Sequence, residues 1–176
     1  MNQLTLGQLA LAPQDRILEV GFGGGALLEQ ILRAGPPAFL AGLDISTDMV
    51  RLAGRRLQRY ISDGKLEVSC GNVEALPYAA GQFTKLCTVN TIYFWPDPAA
   101  AFAECRRVLQ TGGQILVCFN SREELEAWPP HKHGFRLYEV AEIESLLIAS
   151  GFETVRVVNA NDADQGRYYC VSGVAV

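Results

Sequence analysis

The 176-residue chain lacks most of the features that mark whole classes of protein. It has no run of Lys or Arg, and 15 basic side chains face 19 acidic ones, for a formal charge of −4. A phosphate backbone needs a broad basic surface, so nucleic acid is not expected as a partner. The densest basic group, Arg51, Arg55, Arg56 and Arg59, has the spacing of a solvated helix face. Only two histidines occur, His131 and His133, both in the segment WPPHKHGF. With no Cys/His cluster at ligand spacing, no metal is expected. The five cysteines (Cys70, Cys87, Cys105, Cys118 and Cys170) include no C-x-x-C pair and mostly lie inside apolar runs. They read as small buried hydrophobes of a reducing, cytoplasmic compartment. No apolar stretch is long enough to span a bilayer, so no membrane is expected. The opening MNQLTLGQLALAP lacks the basic leader of a signal peptide.

What is present is ample material for one core: 49% of residues are hydrophobic and 19% charged. A short N-terminal segment, 1–15, is expected to precede a single domain over 16–176. Within that domain, strands and helices alternate. Arg16 to Val20 reads as a strand, with Ala26 to Leu32 as a helix stopped by Gly35-Pro36-Pro37. A second strand ends at Asp44, and Ser46 or Thr47 caps a helix to about Tyr60. Further strands are expected near 66–69, 83–90, 115–119, 154–158 and 167–176. Further helices are expected at about 98–109 and 139–150, and Gly112-Gly113 should mark a break. Crossovers between the first five strands imply a parallel sheet, and the short last connection implies an antiparallel pair.

The densest local signal is ILEVGFGGG, residues 17–25. Gly21, Gly23 and Gly25 follow a buried strand and open a helix, where bare backbone and unpaired N–H groups can meet a ligand. Asp44 closes the next strand, which puts its carboxylate beside the glycine loop at the point where strand order reverses. Two carboxylate oxygens suit the two hydroxyls of a ribose. Taken alone, the pattern Gly21-x-Gly23-x-x-Ala26 with Asp44 fits either of two nucleoside cofactors, since it also satisfies the dinucleotide fingerprint.

Five segments in order narrow the choice: LEVGFGGG (18–25), LDISTDMVRLA (43–53), GNVEALPY (71–78), NTIYFWPDPAAAFAECRRVLQTGGQIL (90–116) and LLIASGFETVRV (146–157). In these the sequence resembles the class I S-adenosylmethionine-dependent methyltransferases. It is most similar to the small-molecule group that includes ubiquinone and menaquinone biosynthesis enzymes (methyltransferase type 11 domain). The resemblance implies an α/β fold: a Rossmann-like three-layer sandwich around a seven-stranded, mostly parallel sheet whose last strand is antiparallel. It implies S-adenosylmethionine as cofactor and a small molecule as methyl acceptor, and it leaves room for a homodimer.

By the same resemblance, Glu19, Gly21, Gly23 and Gly25 lie under the methionine part of the cofactor, and Asp44 grips the ribose. Ile45 and Met49 pack on the adenine, and Asn72 and Val73 meet its edge. Asn72 stands where the family usually has Asp, which removes charge from that contact. Asn90 and Thr91 lie near the transferred methyl. Tyr93, Phe94 and Trp95 are candidates for the acceptor pocket, with packing as the alternative. Tyr93, His131 and His133 are the candidates for a catalytic role, and Arg122 and Arg136 for binding an anionic acceptor. Few residues precede the first strand, so an open acceptor site is expected, or one closed by the loop 120–138 or by a second subunit. Two other functions share this site: an NAD(P)-dependent Rossmann oxidoreductase, and an S-adenosylmethionine-binding module without chemistry.

Overall fold

In a computed structural model of the protein, residues 1–126, 136–162 and 166–176 are described. Seven strands form one sheet: β1 (Arg16–Val20), β2 (Phe39–Asp44), β3 (Glu67–Cys70), β4 (Phe83–Val89), β5 (Leu109–Phe119), β6 (Phe152–Asp162) and β7 (Gly166–Ala175). Their order is β3-β2-β1-β4-β5-β7-β6. The pairs from β3 through β5 are parallel, and β7 runs antiparallel to both β5 and β6. The α/β sandwich expected from the sequence is therefore the fold observed.

Helices α1 (Asn2–Leu9), α2 (Ala26–Ala34) and α3 (Thr47–Arg56) cover one face of the sheet. A short helix α4 (Gln58–Ser62) follows α3, so the single helix expected to Tyr60 is broken at Leu57. Helix α5 (Pro98–Val108) and, after the short α6 (Arg122–Glu126), helix α7 (Val140–Ala149) cover the other face. The two faces are set by strand alternation. In β1, Ile17 packs with Leu28 and Ile31 of α2, whereas Leu18 and Val20 pack with the α5 side. Local chemistry sets the helix starts. Asp97 Oδ1 accepts from the N–H groups of Ala99 (3.0 Å) and Ala100 (3.1 Å), with Pro98 in the first turn.

Several elements differ from the sequence expectation. The opening residues form α1, whose Leu9 and Thr5 are fully buried against the sheet. Strand β5 begins at Leu109 and runs through Gly112-Gly113 without stopping. Cys70 is exposed, because it ends the edge strand β3; the other four cysteines are buried. Thr84, early in β4, accepts from Arg16 N (3.0 Å) and donates to Asp15, whose other oxygen is paired with Lys85 at 2.7 Å. Among the described residues no helix is long and apolar enough to cross a membrane.

Candidate active site

The sheet order reverses at β1, which has β2 on one side and β4 on the other. The connections leaving the adjacent strands β1 (to β2) and β4 (to β5) run in opposite directions, and a crevice opens beyond their carboxyl ends. Gly21 leaves β1 with a positive φ of 73°, and its N–H donates to Leu43 O at 2.7 Å. A side chain at that position would run into Cγ2 of Thr91, well inside van der Waals contact. Phe22 turns inward and is buried, in space that Gly42 leaves by having no Cβ. The loop is thus anchored by one aromatic ring and otherwise shows bare backbone. Gly25, with φ of 75°, caps the start of α2 and packs close to Ala53 of α3 and to Leu57, which ends that helix.

Asp44 holds this loop. Its Oδ2 accepts the Gly23 N–H at 2.8 Å and its Oδ1 accepts the Ser46 N–H at 2.9 Å. Each carboxylate oxygen has a second lone-pair site, so the group can still accept two hydroxyls. A cleft of about 410 Å³ lies against it. Gly21, Asp44, Ser46, Ile45 and Met49 line it. Asn72, Val73, Thr91, Phe94 and Trp95 complete the lining. The volume is that of a small-ligand site.

Seven of the eleven residues expected to hold the cofactor line this cleft: Gly21, Asp44, Ile45, Met49, Asn72, Val73 and Thr91. The other four sit around it. Gly23 adjoins it through its bond to Asp44, and Gly25 caps α2 behind it. Asn90 is exposed at the end of β4, in a left-handed conformation (φ 58°) that Asn tolerates better than most residues. Glu19 lies one layer back, 3% exposed, with Oε2 lacking any hydrogen-bond partner.

Burial pushes the Glu19 carboxyl up to about 8, against a Leu28 N–H that favours the charge and with the Asp44 charge adding to the rise. The sign of its effect on stability follows. An unfolded chain would release this proton near 4.5, while the folded protein keeps it until about 8. Stability therefore falls as pH rises through that window. Glu19→Gln keeps the side chain neutral throughout. We expect its melting temperature to gain on that of the native protein steadily from pH 5 to pH 8, read by thermal denaturation; parallel curves would refute the shift.

The aromatic run divides. Tyr93 and Trp95 are buried (each 6% exposed), whereas Phe94 is exposed at the cleft mouth. The Tyr93 oxygen accepts the Asn120 N–H at 2.6 Å and lies 3.3 Å from Asn90 Oδ1. Burial raises its pKa, so the phenol is neutral at physiological pH and is poorly suited to act as a base. Arg122 pairs with Glu139 and Glu142, and Arg136 stacks over Tyr138. His131 and His133 lie outside the described residues. Sequence reasoning passed over Ser46, Gly71 and Pro96. Ser46 was legible as a helix cap, and its Oγ does accept from Met49 N, but its backbone N–H on Asp44 left no sequence signal. Among the described residues no group of three or more His, Cys, Asp or Glu could hold a metal.

A family model described as a methyltransferase domain matches residues 18–117. The methyltransferase YdaC of Bacillus subtilis (strain 168), itself uncharacterized, is 31% identical over 157 residues, which cover 89% of this chain and 82% of that relative. A malonyl–acyl-carrier-protein O-methyltransferase of Herminiimonas arsenicoxydans is 30% identical over 159 residues. That match covers 86% of this chain but only 58% of the relative. Geranyl diphosphate C-methyltransferase of Streptomyces coelicolor A3(2), solved with Mg2+, geranyl diphosphate and S-adenosylhomocysteine, superposes with a TM-score of 0.82 at 14% identity. The superposition covers 99% of this chain and 78% of that one. At that identity the likeness is one of fold.

Proposed function

The chain belongs to the methyltransferase-domain family and is an S-adenosylmethionine-dependent methyltransferase; from that premise we propose that it methylates a small-molecule acceptor presented at the mouth of the Asp44 cleft. The observation that carries this reading is the convergence of Asp44, the bare Gly21 backbone and the walls of one cleft on a space of ligand size.

The residues present fit the cofactor. Gly21 has no Cβ to obstruct it, Asp44 has two acceptor sites in reserve, and Glu19 keeps a buried, unpartnered oxygen behind the loop. In our reading Asp44 takes the ribose hydroxyls, and Ile45, Met49 and Val73 enclose the adenine. Asn72 has less to offer than its type implies. Its Oδ1 already accepts from Glu74 N at 3.1 Å, so only its second lone pair is available to a base edge. Gly23 and Gly25 shape the turn, and Glu19 supplies counter-charge to an ammonium from beneath. Asn90 and Thr91 stand where the reacting groups meet.

Bound there, the cofactor supplies a methyl group on a positively charged sulfur, already activated for displacement. The chain's own task is then alignment and exclusion of water. Thr91 is well placed for this, because its hydroxyl is held by that of Thr88 and its methyl abuts Gly21. Exposed Phe94 offers an apolar face to an acceptor.

Calorimetry separates the readings that share the site. We expect S-adenosylmethionine and S-adenosylhomocysteine to bind and NAD(P) not to. We also expect an enthalpy that varies with buffer, as Glu19 releases a proton to meet the ammonium. Release of S-adenosylhomocysteine against a panel of small acceptors then distinguishes an active enzyme from a silent binding module. Binding of NAD(P) alone would overturn the proposal.

A further inference from the structure

On the sheet face beneath α1, three buried cysteines lie together. Cys118 of β5 stands directly opposite Cys170 of β7 in the antiparallel register, and Cys87 of β4 belongs to the same buried cluster. Antiparallel partners have Cα atoms about 4.5 or 5.5 Å apart, and both spacings fall in the range a disulfide spans. The Thr5 hydroxyl of α1 donates to the Cys118 sulfur at 3.0 Å. Cys118 and Cys170 are each 1% exposed.

From this juxtaposition we propose that Cys118 and Cys170 form a reversible oxidation site for hydroperoxides, covered by α1 and closed by a cross-strand disulfide. The Thr5 hydroxyl of α1 bonds the sulfur of Cys118, on the strand directly opposite Cys170. The Cys170 thiol and then the Thr5 hydroxyl draw Cys118 below the ordinary thiol value against its burial, and Cys170 is pushed up. A donor aimed at Cys118 favours its charged form, so Cys118 is the sulfur placed to act as the thiolate nucleophile.

Its attack on a hydroperoxide forms an S–O bond and breaks the O–O bond, releasing hydroxide or alkoxide, which takes up a proton. The Cys170 sulfur then attacks the sulfenic sulfur. An S–S bond forms, the S–O bond breaks, and water departs with the Cys170 proton. Two thiols lose two electrons, and the peroxide is reduced.

Access comes through α1. It is an eight-residue helix with no side-chain cap at its start, held by packing on the sheet and on α2 and by Lys85 Nζ on the Ala10 carbonyl (2.8 Å), so it opens as one unit when those contacts are lost. Oxidation makes the sulfur that Thr5 binds a poorer acceptor and should loosen the helix further.

The test uses the full chain carrying Cys70→Ser, which removes the exposed thiol and leaves four of the five cysteines. After hydrogen peroxide treatment of the folded protein, we expect two of the four thiols lost and a mass lower by two hydrogens. Peptide mapping should join Cys118 to Cys170, Cys87 should be recovered as a thiol, and dithiothreitol should reverse the change. Amide exchange over residues 2–9 should rise on oxidation. Adding Cys170→Ser should stop the reaction at a dimedone-reactive sulfenic acid on Cys118. If that variant does not fold, the mapping on the Cys70→Ser protein decides by itself. Recovery of both thiols from peroxide-treated folded protein, a link through Cys87, or coupling only after urea unfolding would each overturn the proposal.

Discussion

Replacing Asp44 by alanine is expected to weaken S-adenosylmethionine binding by about ten- to hundredfold, the equivalent of a lost charged hydrogen bond of roughly 1.5–3 kcal/mol. The side chain does two things at once. It holds the loop through the N–H groups of Gly23 and Ser46, and it faces the cleft with acceptor capacity left over. At 7% exposure it lies largely beyond the reach of water, so both N–H donors lose their partner when it goes. The melting temperature should fall along with the affinity.

Asp44→Asn separates the two roles. One amide oxygen can serve one of the two donors, while the NH2 group confronts the other. Part of the fold stability should return, and the affinity should not. Titration calorimetry beside a thermal melt reads both quantities. A folded Asp44→Asn protein with native affinity would remove Asp44 from the binding role proposed for it.

What the sequence made legible, and what it hid, follows from the range of the forces involved. The β1–loop–α2 unit was readable because an apolar strand running straight into alternating glycines has few local solutions. Asp44 was readable because strand ends in a parallel sheet share an edge. Helix α1 was hidden: NQLTLGQL carries no clean apolar stripe, and its burial comes from the sheet it lies on. The glycine pair 112–113 reads locally as a break. A Cβ at Gly113 would sit 2.8 Å from Gln110 O and 3.1 Å from Thr84 O, so the residue marks a close approach inside β5. The short 3-10 helix at Val73–Ala75 depends on Asn72 accepting from Glu74 N, which a single Asn does not announce. Tyr93, Phe94 and Trp95 are adjacent in sequence, yet only the fold decides that Phe94 alone is exposed.

Gly21→Ala should be the most damaging single methyl group in the protein, and its cost can be divided. The backbone there has a φ of +73°, which an L side chain adopts at a penalty of about 1–2 kcal/mol. The added methyl also meets Cγ2 of Thr91, and overpacking of that kind costs roughly 1–3 kcal/mol more. Thr91→Ser addresses the second part alone. It deletes Cγ2 but keeps the hydroxyl that pairs with buried Thr88, so no polar group is left stranded. In the Gly21→Ala background, Thr91→Ser should recover about 1–2 kcal/mol, whereas on the native protein it should recover nothing. A double-mutant cycle by denaturant unfolding measures that difference directly. Full recovery would mean that the clash with Cγ2 alone makes glycine necessary; no recovery would leave the cost to the backbone twist and to Thr91 Cβ, which lies 3.0 Å from the added methyl. Cofactor affinity should stay low in the double variant even where stability returns, because the new methyl stands between Gly21 and residue 91, both of which line the cleft.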